Sequence, residues 1–211
     1  MNLSLLFIAI FAYLIGSISG GVIVGKLKNV DIRKKGSKAA GATNAFRTMG
    51  AIFALSVLLI DVYKGYFSTF YIPYFIGNET NFSKSIAGFS SILGHVFPIY
   101  FKFKGGKGVG TALGTLFAFP QLYLATFVGF ISWLITLFVT GYVGLGSIIS
   151  GVVVLTFYIF SINFMINGLT FYVLFIAIFF FITHRENIKR LVNGSENQFQ
   201  KIMLLNFFKK K

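Results

Sequence analysis

The chain has 211 residues, of which 56% are hydrophobic and 11% charged, and its mean hydropathy is +0.81. This composition excludes a soluble globular domain and a disordered chain, and it predicts an integral membrane protein. The net charge of +14 would suit a nucleic-acid partner, but the basic residues lie in short loops between apolar segments, so we expect no nucleic acid. The absence of cysteine excludes disulfides, a thiolate nucleophile and a Cys-ligated metal.

The first apolar segment, residues 3–24, fixes the expected orientation of the chain. It is followed, not preceded, by the basic residues Lys26 and Lys28. Positive charge after the segment places the N-terminus outside and argues against a cleaved signal peptide, which carries its positive charge first. The basic loop at residues 26–47 is then expected on the cytoplasmic side.

Two further crossings are predicted before residue 100. Residues 51–76 are apolar and return across the membrane. The polar loop at residues 77–85 has Lys84 as its one basic residue, as is typical of an outside loop, and residues 82–100 then come back in. The basic segment that follows therefore lies on the same face as the first basic loop.

The second half of the chain is one long apolar block, residues 109–183, without a charged side chain. Because residues 184–190 are basic again, an even number of crossings must separate them from the basic segment before residue 109. Two helices are too few for this length. Four fit if the helices break near Pro120, near residues 141–146 and near residues 163–168.

These segments predict an all-α polytopic membrane protein with about seven transmembrane helices, an outside N-terminus and a cytoplasmic C-terminus. The whole chain, residues 1–211, is predicted to form a single domain. On this topology all Lys and Arg residues except Lys64 and Lys84 lie on or near the cytoplasmic side. A five-helix arrangement would keep the same sidedness.

Residues 101–111 form a segment that we call the Lys-Gly loop, and its sequence is FKFKGGKGVGT. Glycines lack a Cβ and let successive amides point at one spot, the lysines add positive charge, and a helix beginning at Val109 would add its positive dipole end. These features predict a phosphate site, and its candidate ligands are Lys104, Gly105, Gly106, Lys107 and Gly108. The loop is not a nucleotide-binding P-loop, because Gly108 stands where a Ser or Thr would hold Mg²⁺.

Two more polar stretches, residues 31–50 and 184–196, are expected on the same membrane face. The first offers Ser37, Thr43, Asn44 and Arg47, whose hydroxyl, amide and guanidinium groups suit phosphate and polyol oxygens. The alternative for this basic stretch is a lipid-headgroup anchor, which needs lysines but no fixed Ser, Thr or Asn.

The third stretch begins with His184, and Asn187 and Arg190 follow at intervals of three residues. If the last membrane helix continues past the bilayer, His184 and Asn187 share a face and form a donor cluster. The alternative is that His184 caps a helix end or lies at the interface.

Three ionisable residues lie within apolar segments. Asp61 and Lys64 are three residues apart in the second segment, so we expect them to pair with each other or with a polar network, in a functional or a structural role. His95 precedes an apolar run toward Pro98, and hydrogen bonding within the structure is favoured over a role as a base.

The polar stretches together resemble the three motifs of the bacterial acyl-phosphate:glycerol-3-phosphate acyltransferases. The third reads HRENIKRLVNGSE and fits the family pattern throughout, and the second, GHVFPIYFKFKGGKGVGT, differs chiefly at Gly110, where Ala is usual. The opening AYLIGSISGG and the segment LLIDVYKG are similar as well. The resemblance covers nearly the whole chain.

The first motif departs from the family, which usually has G-S-G-N-x-G-A-T-N. Lys38 and Ala39 stand where Gly and Asn are usual, and Ser19 stands where Pro is common. These differences could alter the geometry of the loop and the rate of turnover. Ser37, Thr43, Asn44 and Arg47 are kept.

The resemblance implies transfer of a fatty acyl group from acyl-phosphate to the sn-1 hydroxyl of glycerol 3-phosphate at a bacterial cell membrane. It implies catalytic roles for Ser37, His184 and Asn187, and phosphate binding by Ser37, Arg47 and Lys107. No metal or other cofactor is expected, and the upstream enzyme that forms acyl-phosphate is a candidate partner. The competing class is an anion transporter, but the chain has no internal repeat and its anion-binding residues lie at one face.

Overall fold

The computed structural model describes residues 3–162 and 166–199, and the regular structure of these residues is entirely helical. The predicted all-α class is confirmed. The α-helices of the described residues are α1 (Leu3–Gly16), α2 (Gly20–Leu27), α3 (Ala42–Met49), α4 (Ala51–Phe75), α5 (Asn81–Val96), α6 (Val109–Leu116), α7 (Tyr123–Thr140), α8 (Val143–Ser161), α9 (Gly168–Thr183) and α10 (Arg185–Val192). Short 3₁₀ turns lie at Ile32–Lys34, Ile99–Phe101 and Pro120–Leu122.

The lengths of the helices decide which of them can cross a bilayer. Four segments of the described chain are long and apolar enough: Leu3–Leu27, Ala51–Phe75, Pro120–Thr140 and Val143–Ser161. Helices α9 and α10 would make a fifth if they are one segment, bent by 54°. Helices α5 and α6 have 16 and 8 residues. They are therefore about 24 and 12 Å long, against a hydrocarbon core of about 30 Å. The four long apolar segments make the chain a multi-pass membrane protein.

The chain forms two compact units, Met1–Pro120 and Gln121–Lys211. In the first, glycines let helices approach closely, as is usual between membrane helices. A Cβ on Gly16 would overlap the main chain of Ser91, which brings α1 against α5. A Cβ on Gly65 would overlap the main chain of Thr111 in the same way, which brings α4 against α6.

The first apolar segment is interrupted between α1 and α2. The Ser17 hydroxyl donates to the carbonyl of Tyr13 at 2.8 Å, at the end of α1. Ser19 caps the N-terminus of α2, because its hydroxyl accepts from the amide of Val22 at 3.4 Å. The break leaves the carbonyl of Ile18 outside a helix, where it accepts from Lys64.

Helix boundaries within the long apolar block agree with the predicted breaks. Helix α6 ends at Leu116, shortly before Pro120. Gly141, in the left-handed conformation with φ of 73°, separates α7 from α8. Helix α9 starts at Gly168, and the predicted break around residues 163–168 lies partly outside the described residues.

The second unit packs α7 against α8 and α8 against α9. Small residues again lie at these contacts, with Gly129 against Val154 and Gly151 against Phe180. The last membrane helix does not continue straight past His184, so the condition under which His184 and Asn187 would share a helix face is not met. Helix α9 ends at Thr183, His184 is in neither helix, and α10 leaves at an angle of 54°.

Candidate active site

The glycine pattern suggested that the amides of Gly105 and Gly106 point at a common anion site. In the structure they do not. Gly105 donates to the carbonyl of Val96 and Gly106 to that of His95, both at 3.2 Å. Glycine is needed here because a Cβ on Gly105 would lie 2.7 Å from Cδ of Pro98, and a Cβ on Gly106 would overlap the imidazole of His95. These two glycines fasten the loop to the end of α5 and do not contribute amides to an anion.

The part of the Lys-Gly loop after Gly106 keeps the predicted anion-binding features. Gly108 has φ of 85° and leads into α6, which begins at Val109 as predicted. The first amides of a helix lack partners within the helix and carry the positive end of its dipole. Lys107 is half-buried beside them, whereas Lys102 and Lys104 are exposed. The focus of positive charge is therefore at Lys107.

Asn44 organises the first polar stretch. It is buried, and its amide nitrogen lies 2.8 Å from the carbonyl of Ile32, 3.0 Å from that of Lys35 and 2.9 Å from that of Ala39. Its Oδ1 accepts from the amide of Ser37 at 2.9 Å. Because both amide hydrogens are engaged with the loop, the contacts of Asn44 favour a loop-shaping role over the substrate contact expected from the sequence.

The other candidates of this stretch are open to a ligand to different degrees. Ser37 has an exposed side chain on a backbone that Asn44 holds in place. Thr43 and Arg47 are one turn apart on α3 and both are half-buried. Residues four apart lie on one face of a helix, so α3 presents a hydroxyl and a guanidinium together.

The two loops of the first unit are joined directly. The amide of Ala40 donates to the carbonyl of Gly105 at 3.3 Å, and the guanidinium carbon of Arg33 lies 5.5 Å from the centre of the Phe101 ring. Arg33 is itself paired with Asp31 at 3.0 Å. The side-chain hydrogen bond from Arg33 holds the pKa of Asp31 below its ordinary value. The structure thus brings together the first two of the three predicted stretches.

The backbone conformation at Lys38 fits the glycine that the motif resemblance implies at this position. Its φ is 59°, in the left-handed region. That region costs a non-glycine residue roughly 1–2 kcal/mol, partly offset by the extra freedom of glycine in the unfolded chain. We therefore expect Lys38→Gly to raise the free energy of unfolding by about 0.5–1 kcal/mol, measured as a higher midpoint of thermal unfolding in detergent.

The matched control for this variant is Lys34→Gly in the same loop. Lys34 lies in the 3₁₀ turn Ile32–Lys34, where a glycine relieves no left-handed strain and only adds freedom to the unfolded chain. This variant should lower the midpoint. If both variants lower it equally, the left-handed conformation of Lys38 carries no strain that glycine removes.

In the second unit, His184 is buried at the bend between α9 and α10. Its Nδ1 lies 2.8 Å from the carbonyl of Phe180, and its ring meets that of Phe180 edge-on with centres 6.1 Å apart. A carbonyl only accepts, so Nδ1 carries the proton. In the neutral ring Nε2 is then the acceptor.

Asn187 is held by a residue that sequence reasoning missed. Its Nδ2 donates to Oε1 of Glu196 at 2.9 Å, and Arg190 Nε donates to the other carboxylate oxygen, Oε2, at 2.7 Å. Glu196 is buried and joins both side chains. Arg190 thus pairs with Glu196 and shares this carboxylate with Asn187. The sequence has 5 acidic residues against 19 basic ones, and this excess of basic residues was the one indication in the sequence that Glu196 pairs with a basic side chain.

Gly144, near the start of α8, lies against this group. A Cβ there would come within 2.7 Å of Nδ2 of Asn187. The segment after α10 returns to the same region, where the amide of Phe199 donates to the carbonyl of Gly141 at 2.9 Å. The predicted site residues are thus divided between the two units, with His184 and Asn187 in the second.

Comparison with known proteins identifies the family. The model of the glycerol-3-phosphate acyltransferase family matches residues 6–194. The chain belongs to this family. A glycerol-3-phosphate acyltransferase of Aquifex aeolicus is 39% identical over 195 residues, covering 92% of this chain and 98% of that protein. One of Bacillus subtilis is 41% identical over 190 residues, covering 89% and 93%.

Solved structures of a glycerol-3-phosphate acyltransferase share the fold. The crystal structure of PlsY (YgiH), an integral membrane glycerol 3-phosphate acyltransferase, in its glycerol 3-phosphate form has a TM-score of 0.83 and 38% identity, with coverage of 93% of this chain and 96% of that one. The lysophosphatidic acid form of the same enzyme has a TM-score of 0.82 and 37% identity, with coverage of 93% and 95%. The family resemblance expected from the motifs is confirmed.

Proposed function

We propose that this protein transfers a fatty acyl group from acyl-phosphate to the sn-1 hydroxyl of glycerol 3-phosphate, giving 1-acyl-glycerol 3-phosphate and inorganic phosphate. The observation that carries the proposal is the match, over 93% of the chain, to a structure solved with glycerol 3-phosphate and again with lysophosphatidic acid. Of the two compounds that those structures are named for, glycerol 3-phosphate is the acceptor and lysophosphatidic acid the product of this reaction. The long-chain product is released into the bilayer in which the enzyme lies.

The chemistry requires binding and orientation more than a nucleophile on the protein. The hydroxyl oxygen of glycerol 3-phosphate attacks the acyl carbon, the bond from that carbon to the phosphate oxygen breaks, and the hydroxyl proton passes to the departing phosphate. Acyl-phosphate is a mixed anhydride with a good leaving group, so no covalent enzyme intermediate is needed. The enzyme that forms acyl-phosphate is the proposed partner that supplies it.

In the first unit, we assign the phosphate group of a substrate to Lys107, the amides from Gly108 into α6, and Arg47. The half-burial of Lys107 at a helix N-terminus favours it over Lys104, which is exposed and adds long-range attraction. Ser37 offers an exposed hydroxyl on a fixed backbone, and Thr43 lies on the same helix face as Arg47.

In the second unit, we assign the glycerol part of glycerol 3-phosphate to His184 and Asn187. With its proton on Nδ1, a neutral His184 offers Nε2 as an acceptor, which suits a hydroxyl better than a phosphate oxygen. Asn187 is oriented by Glu196 and can contact a hydroxyl or the reacting carbonyl.

The decisive experiment for the reaction is phosphate release by the purified protein in detergent. Acyl-phosphate and glycerol 3-phosphate together should give inorganic phosphate and lysophosphatidic acid in equal amounts, without added metal. Glycerol 3-phosphate alone should give neither. An anion transporter would release no phosphate under these conditions, and that result would exclude the proposed enzyme.

For the topology, we propose seven membrane segments with the N-terminus outside and the polar loops and C-terminus cytoplasmic. The segments are α1 with α2, then α4, α5, α6, α7, α8 and α9. The charge distribution of the sequence supports this orientation. The count of seven depends on helix α6, since 8 residues are too few to cross a full hydrocarbon core alone.

Single cysteines introduced into this cysteine-free chain test the topology. Cysteines at Lys38, Lys104 and Lys189 should react with an impermeant maleimide only from the cytoplasmic side, and Asn81→Cys only from outside, as measured in inside-out and right-side-out vesicles. If the cysteines at Lys104 and Lys189 react from opposite sides, an odd number of crossings separates them, and α6 does not count as one.

A further inference from the structure

Three ionisable side chains that have no assigned contact with substrate lie buried together in the first unit. Asp61, Lys64 and His95 are 3, 4 and 5% exposed. The Lys64 ammonium lies 2.8 Å from Oδ1 of Asp61, which confirms the pairing expected from the sequence. We call this cluster the buried triad. Ionisable side chains are rare in membrane segments because burying them is costly even when they are paired, so the buried triad is a candidate for a functional role.

The hydrogen bonds of Lys64 account for all of its donors. A lysine ammonium has three, and here they reach Asp61 Oδ1, the carbonyl of Ile18 in the break between α1 and α2, and Nδ1 of His95 at 2.9 Å. Asp61 Oδ1 also lies 3.4 Å from the amide of Gly20. The triad therefore ties α4 and α5 to the start of α2.

The same contacts fix the imidazole of His95. A charged ammonium can only donate, so Nδ1 accepts, and the proton of the neutral ring is on Nε2. The distance from Nδ1 to Asp61 Oδ1 is longer, 3.5 Å, which agrees with Lys64 as the partner. Orientation and tautomer of the ring are thus set by Lys64.

The opposite edge of this ring rests on the Lys-Gly loop. A Cβ added to Gly106 would overlap Nε2 of His95 and would lie 3.0 Å from Cε1. The carbonyl of His95 also accepts the amide of Gly106 at 3.2 Å. His95 therefore holds Gly106 by both its backbone and its side chain, and the next residue is Lys107.

We propose that His95 is a positioning residue for Lys107, and that Asp61 and Lys64 fix its ring for this purpose. The inference rests on the proposed function, because it takes Lys107 to bind a substrate phosphate. The ring acts as a support of fixed size under Gly106, which sets where the Lys107 ammonium and the first turn of α6 stand. A small displacement of a charged donor lowers its contribution to phosphate binding.

The test uses the contact between His95 and Gly106 itself. His95→Asn keeps an acceptor where Nδ1 lies and removes the edge that touches Gly106, so Lys64 keeps its partner. We expect this variant to lower kcat/KM at least about tenfold, mainly by raising KM, with little loss of thermal stability in detergent. Gly106→Ala alone should be strongly impaired, because its Cβ overlaps the ring.

The combination of the two substitutions should restore function. With the ring edge gone, the Cβ introduced at position 106 fills the space under the loop, so Gly106→Ala should raise kcat/KM at least about threefold in the His95→Asn background while lowering it in the wild type. Gly105→Ala is the matched control. Its Cβ meets the His95 carbonyl and Pro98, which His95→Asn leaves in place, so it should be harmful in both backgrounds.

The role of Asp61 and Lys64, the other two residues of the buried triad, is tested by removing both charges. Asp61→Leu with Lys64→Met replaces a buried ion pair by apolar side chains, a change that proteins often accept without losing stability. We expect a folded protein in which His95 is no longer held and KM rises at least about fivefold. Unchanged kinetics in this folded variant, or additive effects of His95→Asn and Gly106→Ala, would overturn the inference. Absence of turnover in the wild type would instead reject the proposed reaction.

Discussion

Lys107→Ala is expected to lower kcat/KM at least about tenfold, because a charged hydrogen bond to phosphate contributes roughly 1.5–3 kcal/mol. Lys107 is the half-buried lysine of the Lys-Gly loop, and it precedes Gly108 and the first turn of α6. Its charge and the helix dipole therefore act on the same anion. Steady-state kinetics of purified protein, with each substrate varied in turn, would show which phosphate it holds.

Two variants make this result specific. Lys102→Ala removes a charge of the same kind from the same loop, but Lys102 is exposed and can reach headgroups, so its loss should cost much less. Lys107→Arg should restore activity only in part, because the guanidinium is larger and planar. The placement of phosphate at Lys107 is wrong if the Lys107→Ala protein keeps near-normal kinetics while Lys102→Ala is inactive.

The features that the sequence predicted well depend on local chemistry. Gly141 ends α7 in the left-handed conformation that favours glycine, and α6 starts at Val109 directly after the loop glycines. Asp61 and Lys64 pair because residues three apart share a helix face and a lone charge in an apolar segment is costly. Each of these expectations needs only a few neighbouring residues.

The features that the sequence did not predict depend on partners distant along the chain. The glycine pattern says that Gly105 and Gly106 can turn tightly, but not that their amides go to carbonyls at the end of α5. The bend at His184 follows an uninterrupted apolar run without Pro or Gly, so no local signal marks it. Glu196 lies nine residues from Asn187, across a turn whose path the sequence does not specify.

Asn44→Asp should be more damaging than loss of any single lysine. The substitution keeps the size of the side chain and the acceptor for the Ser37 amide, but it places a carboxylate oxygen where Nδ2 now faces three carbonyls. Each unsatisfied group costs about 1–3 kcal/mol, and the carboxylate adds repulsion, so the loop should leave its present shape. We expect kcat/KM to fall at least about 100-fold, because Ser37 is displaced.

A loop-shaping residue and a direct substrate ligand predict different behaviour of the free enzyme. If Asn44 shapes the loop, Asn44→Asp should expose the lysines at positions 34, 35 and 38 to faster tryptic cleavage even without substrate. If it only touches substrate, the cleavage rate should match the wild type. Thr48→Val is the control, because the Thr48 hydroxyl donates to the Asn44 carbonyl at 2.8 Å within α3 and helix geometry holds that carbonyl in any case. The cleavage rate and kinetics of Thr48→Val should stay close to those of the wild type. If only Asn44→Asp is cleaved faster and loses activity, the side-chain amide of Asn44 determines the shape of the loop.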